Sequence, residues 1–209
     1  SSRDFARDPL PLPLLSDLLW AAYGMNRPDG GRTAPSALNA QEIDMFVALP
    51  SGAYRYDAAA HELHLVAASD LRRVTGYQDF VDEAPLDLVY VADHSRMSMV
   101  PAGQRESYAS AAAGAIAQNV YLFAASNGLG TVIRAWIDRS YVWAATLPFA
   151  ASVDDHWSMD KSVPWSVSGQ RSGRSPSATL RCPCPSSRRW PWPPRSTWSA
   201  TASSSAWPS

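Results

Sequence analysis

The chain has 209 residues, 46% of them hydrophobic, a formal net charge of −1 and two cysteines. That length suits one domain with an appendage at most, and the apolar fraction suffices for a sizeable core. The near-neutral charge gives no reason to expect nucleic acid or an anionic membrane, and the apolar runs are too short to span a bilayer.

Cys182 and Cys184 are too few for a disulfide framework, so a reducing, cytoplasmic setting is the default. The opening Ser1-Ser2-Arg3-Asp4-Phe5 carries no apolar leader.

In chain order, Leu14 to Tyr23 reads as a helix with Leu14, Leu15, Leu18, Leu19 and Ala22 on one face. Ser16 or Asp17 could instead cap a later start. A Gly/Asn/Pro/Asp-rich loop, Gly24 to Arg32, ends it. Next comes a polar, Pro-punctuated stretch, Arg32-Thr-Ala-Pro-Ser-Ala-Leu-Asn-Ala-Gln41, turning into a strand at Ile43–Leu49. Its hydroxyls, amide and backbone N–H groups suit a flat polar ligand.

Pro50-Ser51-Gly52 makes a turn, and Tyr54–Tyr56 with Leu63–Val66 form the arms of a hairpin. Asp70 to Val74 is a short helix with Asp70 as its cap. Leu86–Ala92 is a buried strand, apolar except for Asp87 and Tyr90. Arg105 to Ser126 is the longest helix, closed by Asn127-Gly128 and rich in alanine over its first half. Such small side chains permit close helix packing in the core, and also at a subunit interface. Gly130 to Ile137 reads as a strand. Helices, strands and a hairpin mixed in this way indicate an α+β fold.

The chain changes character near residue 140. Seven of the nine tryptophans lie from Trp143 onward, no Asp or Glu follows Asp160, and residues 162–209 hold fourteen serines and six arginines. Frequent prolines interrupt any period, so 140–209 reads as an irregular, low-complexity tail after a domain at 1–139. Out-of-frame translation of GC-rich DNA fits this composition best. A Pro-rich partner arm and a basic, aromatic segment for single-stranded nucleic acid are the alternatives.

No metal or nucleophile motif stands out. His61, His64, His94 and His156 lack ligand spacing, and surface or packing roles suit them. Cys182-Pro-Cys184 lacks the two-residue spacer of a zinc or redox motif. Gly128-Leu-Gly130 follows a helix, the wrong setting for a dinucleotide turn.

Four other pieces occur in a telling order. They are Ser1-Ser-Arg-Asp-Phe5, Leu19 to Arg27 running into Arg32-Thr-Ala-Pro-Ser-Ala-Leu-Asn39, Thr75-Gly-Tyr-Gln-Asp-Phe80, and Gln118-Asn119 with Gly128 to Asp138. Together they resemble the nitroreductase-like FMN-dependent oxidoreductases, in particular short members related to thiazoline/oxazoline dehydrogenases. The resemblance implies a mixed sheet flanked by helices, a long central helix and a homodimer. It also implies ping-pong electron transfer from NAD(P)H through FMN to a small acceptor such as a nitroaromatic, quinone or enone.

By the same likeness, Ser1 and Arg3 belong to the FMN phosphate site, where guanidinium and hydroxyl donors suit a phosphate. Pro35, Ser36, Ala37 and Asn39 would line the flavin ring across the dimer interface. Gln78 would contact the flavin or its ribityl chain, and Gly128, Arg134 and Ala135 belong to the unit that passes the flavin edge. Many relatives carry Gly where Ala135 stands. Taken alone, Ser36 is also a plain helix cap, Pro35 a helix-start signal and Gln78 a solvated loop amide. The alternative function is a non-catalytic or FMN-deficient relative, either a ligand binder or a damaged gene product.

Overall fold

A computed structural model describes residues 1–134, 162–167 and 179–181. Helix α1 spans Leu12–Tyr23, and helix α2 spans Arg105–Ser126. The strands are β1 (Ile43–Leu49), β2 (Gly52–Asp57), β3 (Glu62–Ala67), β4 (Leu86–Ala92), β5 (Thr131–Ile133), β6 (Ser162–Val167) and β7 (Thr179–Arg181). They form one sheet in the order β5-β6-β4-β1-β2-β3-β7. Every pairing among these described strands is antiparallel.

The central ladder joins β1 to β4, with Ile43 opposite Ala92 and Ala48 opposite Asp87. Side chains alternate across a strand, so each strand serves two layers. Ile43, Met45 and Val47 of β1, with Leu86, Leu88 and Tyr90 of β4, join the main core beneath the helices. Phe46, Val89 and Val91 form a smaller cluster on the opposite face. Both faces of β4 are therefore covered, which accounts for its continuous apolar run.

Helix α2 buries Ala109, Ala112, Ala113, Ile116, Ala117, Val120 and Ala124, a stripe of helical spacing whose small residues let α1 approach closely. Asn119 Nδ2 adds a hydrogen bond to the Ala22 carbonyl, 3.2 Å away, at the end of α1. Gly128, at φ +68, closes α2, with Leu129 N–H donating to the Ala124 carbonyl at 2.8 Å. Glycine relieves the Cβ clash in that left-handed cap.

Several local expectations need correction. Helix α1 starts at Leu12, with Pro13 in its first turn, where a missing N–H does no harm. Ser16 caps nothing; it lies buried inside α1. The short helix after Asp70 is a 3-10 turn over Arg72–Thr75, although Asp70 Oδ1 does accept the Arg72 N–H at 3.1 Å. The strand after α2 begins at Thr131, and its expected end at Ile137 lies outside the described residues. Two pieces of the tail, β6 and β7, pair with the sheet, β6 between β4 and β5.

Ser16 instead joins a buried bridge between α1 and the β2–β3 hairpin. Its Oγ lies 2.8 Å from His61 Nε2, while Tyr56 OH lies 2.8 Å from His61 Nδ1. His61 sits at φ +54, a backbone conformation that His and Asn tolerate better than most residues. His61→Asn keeps that backbone but cannot reach both hydroxyls. Each one left unsatisfied costs about 1–3 kcal/mol.

Burial lowers the His61 pKa, against the nearby Asp17 charge. The folded state thus binds fewer protons than the unfolded chain. This contribution is fully present above the ordinary value of 6.5 and is lost as pH falls through the lower folded value. Urea denaturation of wild type on acidification should show that loss, and His61→Asn should lack it.

Candidate functional site

Two polar clusters occupy opposite ends of the β1–β4 ladder. The first surrounds Asp87, a carboxylate with 0% exposure set in an apolar strand. A buried charge requires a partner. Arg134 Nη2 donates to Asp87 Oδ1 at 3.2 Å, and Thr75 Oγ1 donates to Asp87 Oδ2 at 2.8 Å. Arg134 Nη1 also reaches the Thr75 carbonyl at 3.2 Å. Burial holds the Arg134 pKa below its ordinary value, and the Asp87 charge opposes that shift.

Gly76 makes this approach possible, because a methyl group there would collide with Arg134 Nη1. Two buried polar atoms flank the glycine without partners among the described residues. They are the acceptor Gln78 Oε1 and the donor Arg134 Nε.

The N-terminal segment runs alongside this cluster. Ser2 N–H donates to the Thr131 carbonyl at 2.9 Å, and Ser1 Oγ lies 2.9 Å from Tyr121 OH. Phe5 packs on Phe80 with ring centroids 5.8 Å apart, and Arg7 pairs with Glu83 at 2.6 Å. Ser1, Gln78 and Arg134 thus stand in one neighbourhood. Arg3 is exposed and makes no hydrogen bond or ion pair among the described residues.

The second cluster is the Arg32–Glu42 loop. Leu38, Asn39 and Gln41 adopt φ of 54°, 53° and 50°, a left-handed region that costs L-residues about 1–2 kcal/mol each. Gln41 holds the turn by nearly all its polar atoms. Its N–H donates to Ser36 Oγ at 2.8 Å, and its Nε2 donates to the Gly30 carbonyl at 2.9 Å and to Asn39 Oδ1 at 3.1 Å. Its Oε1 accepts from Arg32 Nε at 2.9 Å, and its carbonyl accepts from Arg96 Nη1 at 3.1 Å. Arg96 is itself anchored by Asp44 at 2.7 Å and Asp93 at 3.0 Å.

Ser36 Oγ in turn donates to Glu42 Oε2 at 2.5 Å. Glu42 is fully buried, and its Oε1 has no partner among the described residues. Arg32 lies over the Tyr23 ring, 4.4 Å from its centroid. Burial pushes the Tyr23 pKa up to about 12.

Ser36, Ala37 and Asn39 therefore belong to one turn, with Pro35 exposed at its entry. The side chains of Ser36 and Asn39 point into the loop's own network, leaving Leu38, 72% exposed, as its apolar display. Gly128 is the exposed cap of α2, and Ala135 lies outside the described residues. Sequence reading missed Glu42, which lies between the turn and the strand at Ile43, and Gly76. Asp87 was visible as a charge inside an apolar run.

The Nitroreductase family model matches residues 1–169. The chain belongs to the nitroreductase family. That match runs past residue 139, where the sequence had placed the end of the domain. A crystal structure from Ralstonia eutropha JMP134, titled as a nitroreductase, shares 47% identity and a TM-score of 0.71, covering 83% of this chain and 80% of that one. A protein of Methanocaldococcus jannaschii named as a nitroreductase is 32% identical over 142 residues, 63% of this chain and 72% of its own length. The fold alone is also shared with the E. coli microcin synthetase McbBCD complex. There the identity is 19% and the TM-score 0.65, over 80% of this chain and 67% of that one.

Within this nitroreductase fold, Gly76→Ala should displace Arg134 from Thr75 and strain its pairing with Asp87. Losing one or two buried hydrogen bonds to a charged group costs about 1.5–3 kcal/mol each. A drop in the urea midpoint of that size checks the arrangement. An unchanged midpoint would show that Arg134 yields without loss.

Proposed function

We propose that the chain is an FMN-dependent oxidoreductase that acts as a homodimer and passes electrons from NAD(P)H to a small organic acceptor. The observation that carries this reading is the unpartnered pair at Gly76, Gln78 Oε1 and Arg134 Nε. Buried polar atoms without partners are costly, so a ligand that supplies them relieves the site. The donor set fits FMN. Its ring edge offers an N–H for the amide oxygen and carbonyl acceptors for the guanidinium.

When bound, FMN supplies the two-electron chemistry that no described side chain provides. The chain's own residues bind and orient it. Arg3 and the Ser1 hydroxyl offer phosphate donors at an exposed edge, and Gln78 and Arg134 set the ring's polar edge. The Pro35–Asn39 turn supplies an ordered apolar and backbone surface. No described side chain is assigned as a catalytic acid or base.

Geometry supports a dimer. Asp87 stands near the start of β4 and Asp93 just past its end, and an antiparallel strand rises about 3.4 Å per residue, so the two polar clusters stand roughly 20 Å apart. A flavin ring is shorter than that span. One ring touched by both clusters would therefore take its second cluster from another copy of the chain. The exposed Tyr108 and Leu122 of α2 offer apolar surface for that contact.

Desalted protein should retain a visible flavin band after incubation with FMN, and NAD(P)H should bleach it. Ser1→Ala combined with Arg3→Ala should weaken FMN by roughly tenfold or more, the worth of a charge-assisted hydrogen bond. Absence of any flavin at excess FMN would favour the FMN-deficient relative instead.

A further inference from the structure

Arg134 and Asp87 form an ion pair whose side chains are only 2% and 0% exposed. Water screens so deeply buried a pair very little, so its charges act strongly on whatever lies beside it. A ligand does not meet the two charges equally. Both Nη atoms of Arg134 are engaged, Nη1 by the Thr75 carbonyl and Nη2 by Asp87 Oδ1, each at 3.2 Å. The remaining donor, Nε, has no partner among the described residues, and the guanidinium stands with Gln78 Oε1 at Gly76. A ligand that takes these two atoms meets the cation directly and Asp87 only behind it. Arg72 also feels the Asp87 charge, but it is tied to Asp70 and to the Ala84 carbonyl, each at 2.6 Å.

We propose that Asp87 is a positioning residue that sets how far the site favours reduced over oxidised flavin. This rests on the FMN reading above and deepens it from binding to electron affinity. Near neutral pH, reducing a flavin takes up two electrons and one proton and leaves one negative charge on the ring's polar edge. The electrons come from NAD(P)H in that reading. Protein charges near this edge tune the cofactor. Arg134 attracts the new charge through Nε, because a guanidinium stays protonated. Asp87 aims that guanidinium and offsets part of its attraction, since its carboxylate lies one hydrogen bond further from the ligand. The pair acts as a dipole with its positive end toward the ring. An undamped arginine would hold the reduced ring more tightly and make it a weaker donor to the acceptor.

The test compares full-length wild type, Asp87→Asn and the double variant Asp87→Asn/Arg134→Gln, each loaded with FMN and titrated with dithionite against a reference dye. Asp87→Asn keeps the shape and an acceptor for Arg134 but removes the charge. Its ratio of affinities for reduced and oxidised FMN should rise on the order of tenfold. For a two-electron couple that moves the midpoint potential up by about 30 mV. The double variant replaces the ion pair by a neutral amide pair, and its midpoint should fall below that of wild type. A merely structural role for Asp87 predicts otherwise: Arg134 would drift from the ring in Asp87→Asn, and the midpoint would stay or fall.

Either midpoint holding still or moving the other way overturns the proposal. Asp87→Asn leaves a lone buried cation, which is strongly destabilising. If that variant does not fold, the double variant decides alone, because it buries no charge and its expected shift has a definite sign. The flavin reading fails separately. Wild type that holds no flavin at excess FMN sinks that reading and this proposal with it. Bound flavin with equal midpoints in all three proteins sinks only the role of Asp87.

Discussion

The ladder between β1 and β4 is the constraint on which the other features depend. Both strands are buried on two faces: the helices cover one, and on the other their own Phe46, Val89 and Val91 form a buried cluster with Val66 packed against it. A strand buried in this way has little room for polar side chains along its length. Polar chemistry is therefore driven to its ends, and the register decides which residues occupy them. Pairing Ile43 with Ala92 and Ala48 with Asp87 puts Glu42 and Asp93 at one end and Asp87 at the other. A one-residue slip would turn every side chain of β1 to the other face and place Asp44 in the main core.

The two ends solve the cost of burying charge in different ways. At the Asp87 end the solution is compact: one guanidinium, one hydroxyl and a glycine that leaves space for them. A buried ion pair of this kind is seldom a large net gain, because desolvation offsets much of the attraction. Its value is geometric. With both Nη groups occupied, Arg134 presents Nε in a fixed direction, and Gln78 Oε1 stands close by at Gly76. At the Glu42 end the solution is a strained turn. Three left-handed residues together cost several kcal/mol by the usual scale, and Gln41 offsets this with hydrogen bonds to four separate partners plus one from Arg96. Such strain persists only where surrounding contacts over-determine it.

Much of this was legible in the chain. Strands β1 and β4 and helix α2 have the bounds that composition and period indicate, since each combines a long apolar pattern with clear punctuation. The order of the Ser1, Ala34-Pro35-Ser36, Gln78 and Gly128 pieces led to the family that the comparisons show. What stayed hidden depends on three-dimensional partners. Glu42 and Gln41 look like ordinary polar residues at a strand entrance, and only the turn's left-handed backbone brings Ser36 back onto both. Gly76 signals a loop, but its need comes from Arg134, nearly sixty residues away. The β6 and β7 pairings were missed because prolines and serines mask any strand period. Sheet edges that offer free backbone groups can recruit such segments regardless of side-chain pattern.

The loop's inward commitments also bear on how a ligand would be read there. A side chain tied into its own turn is not free to adapt, so Ser36 and Asn39 contribute shape before they contribute contacts. What the turn shows outward is backbone, the Pro35 ring and the exposed Leu38 side chain. Such a surface favours a flat, rigid partner, because a flexible one would lose more freedom on docking than these few contacts return. Were the turn to take a ligand, its strain would already fix its shape, so ordering costs that would otherwise fall on the ligand would be met by folding.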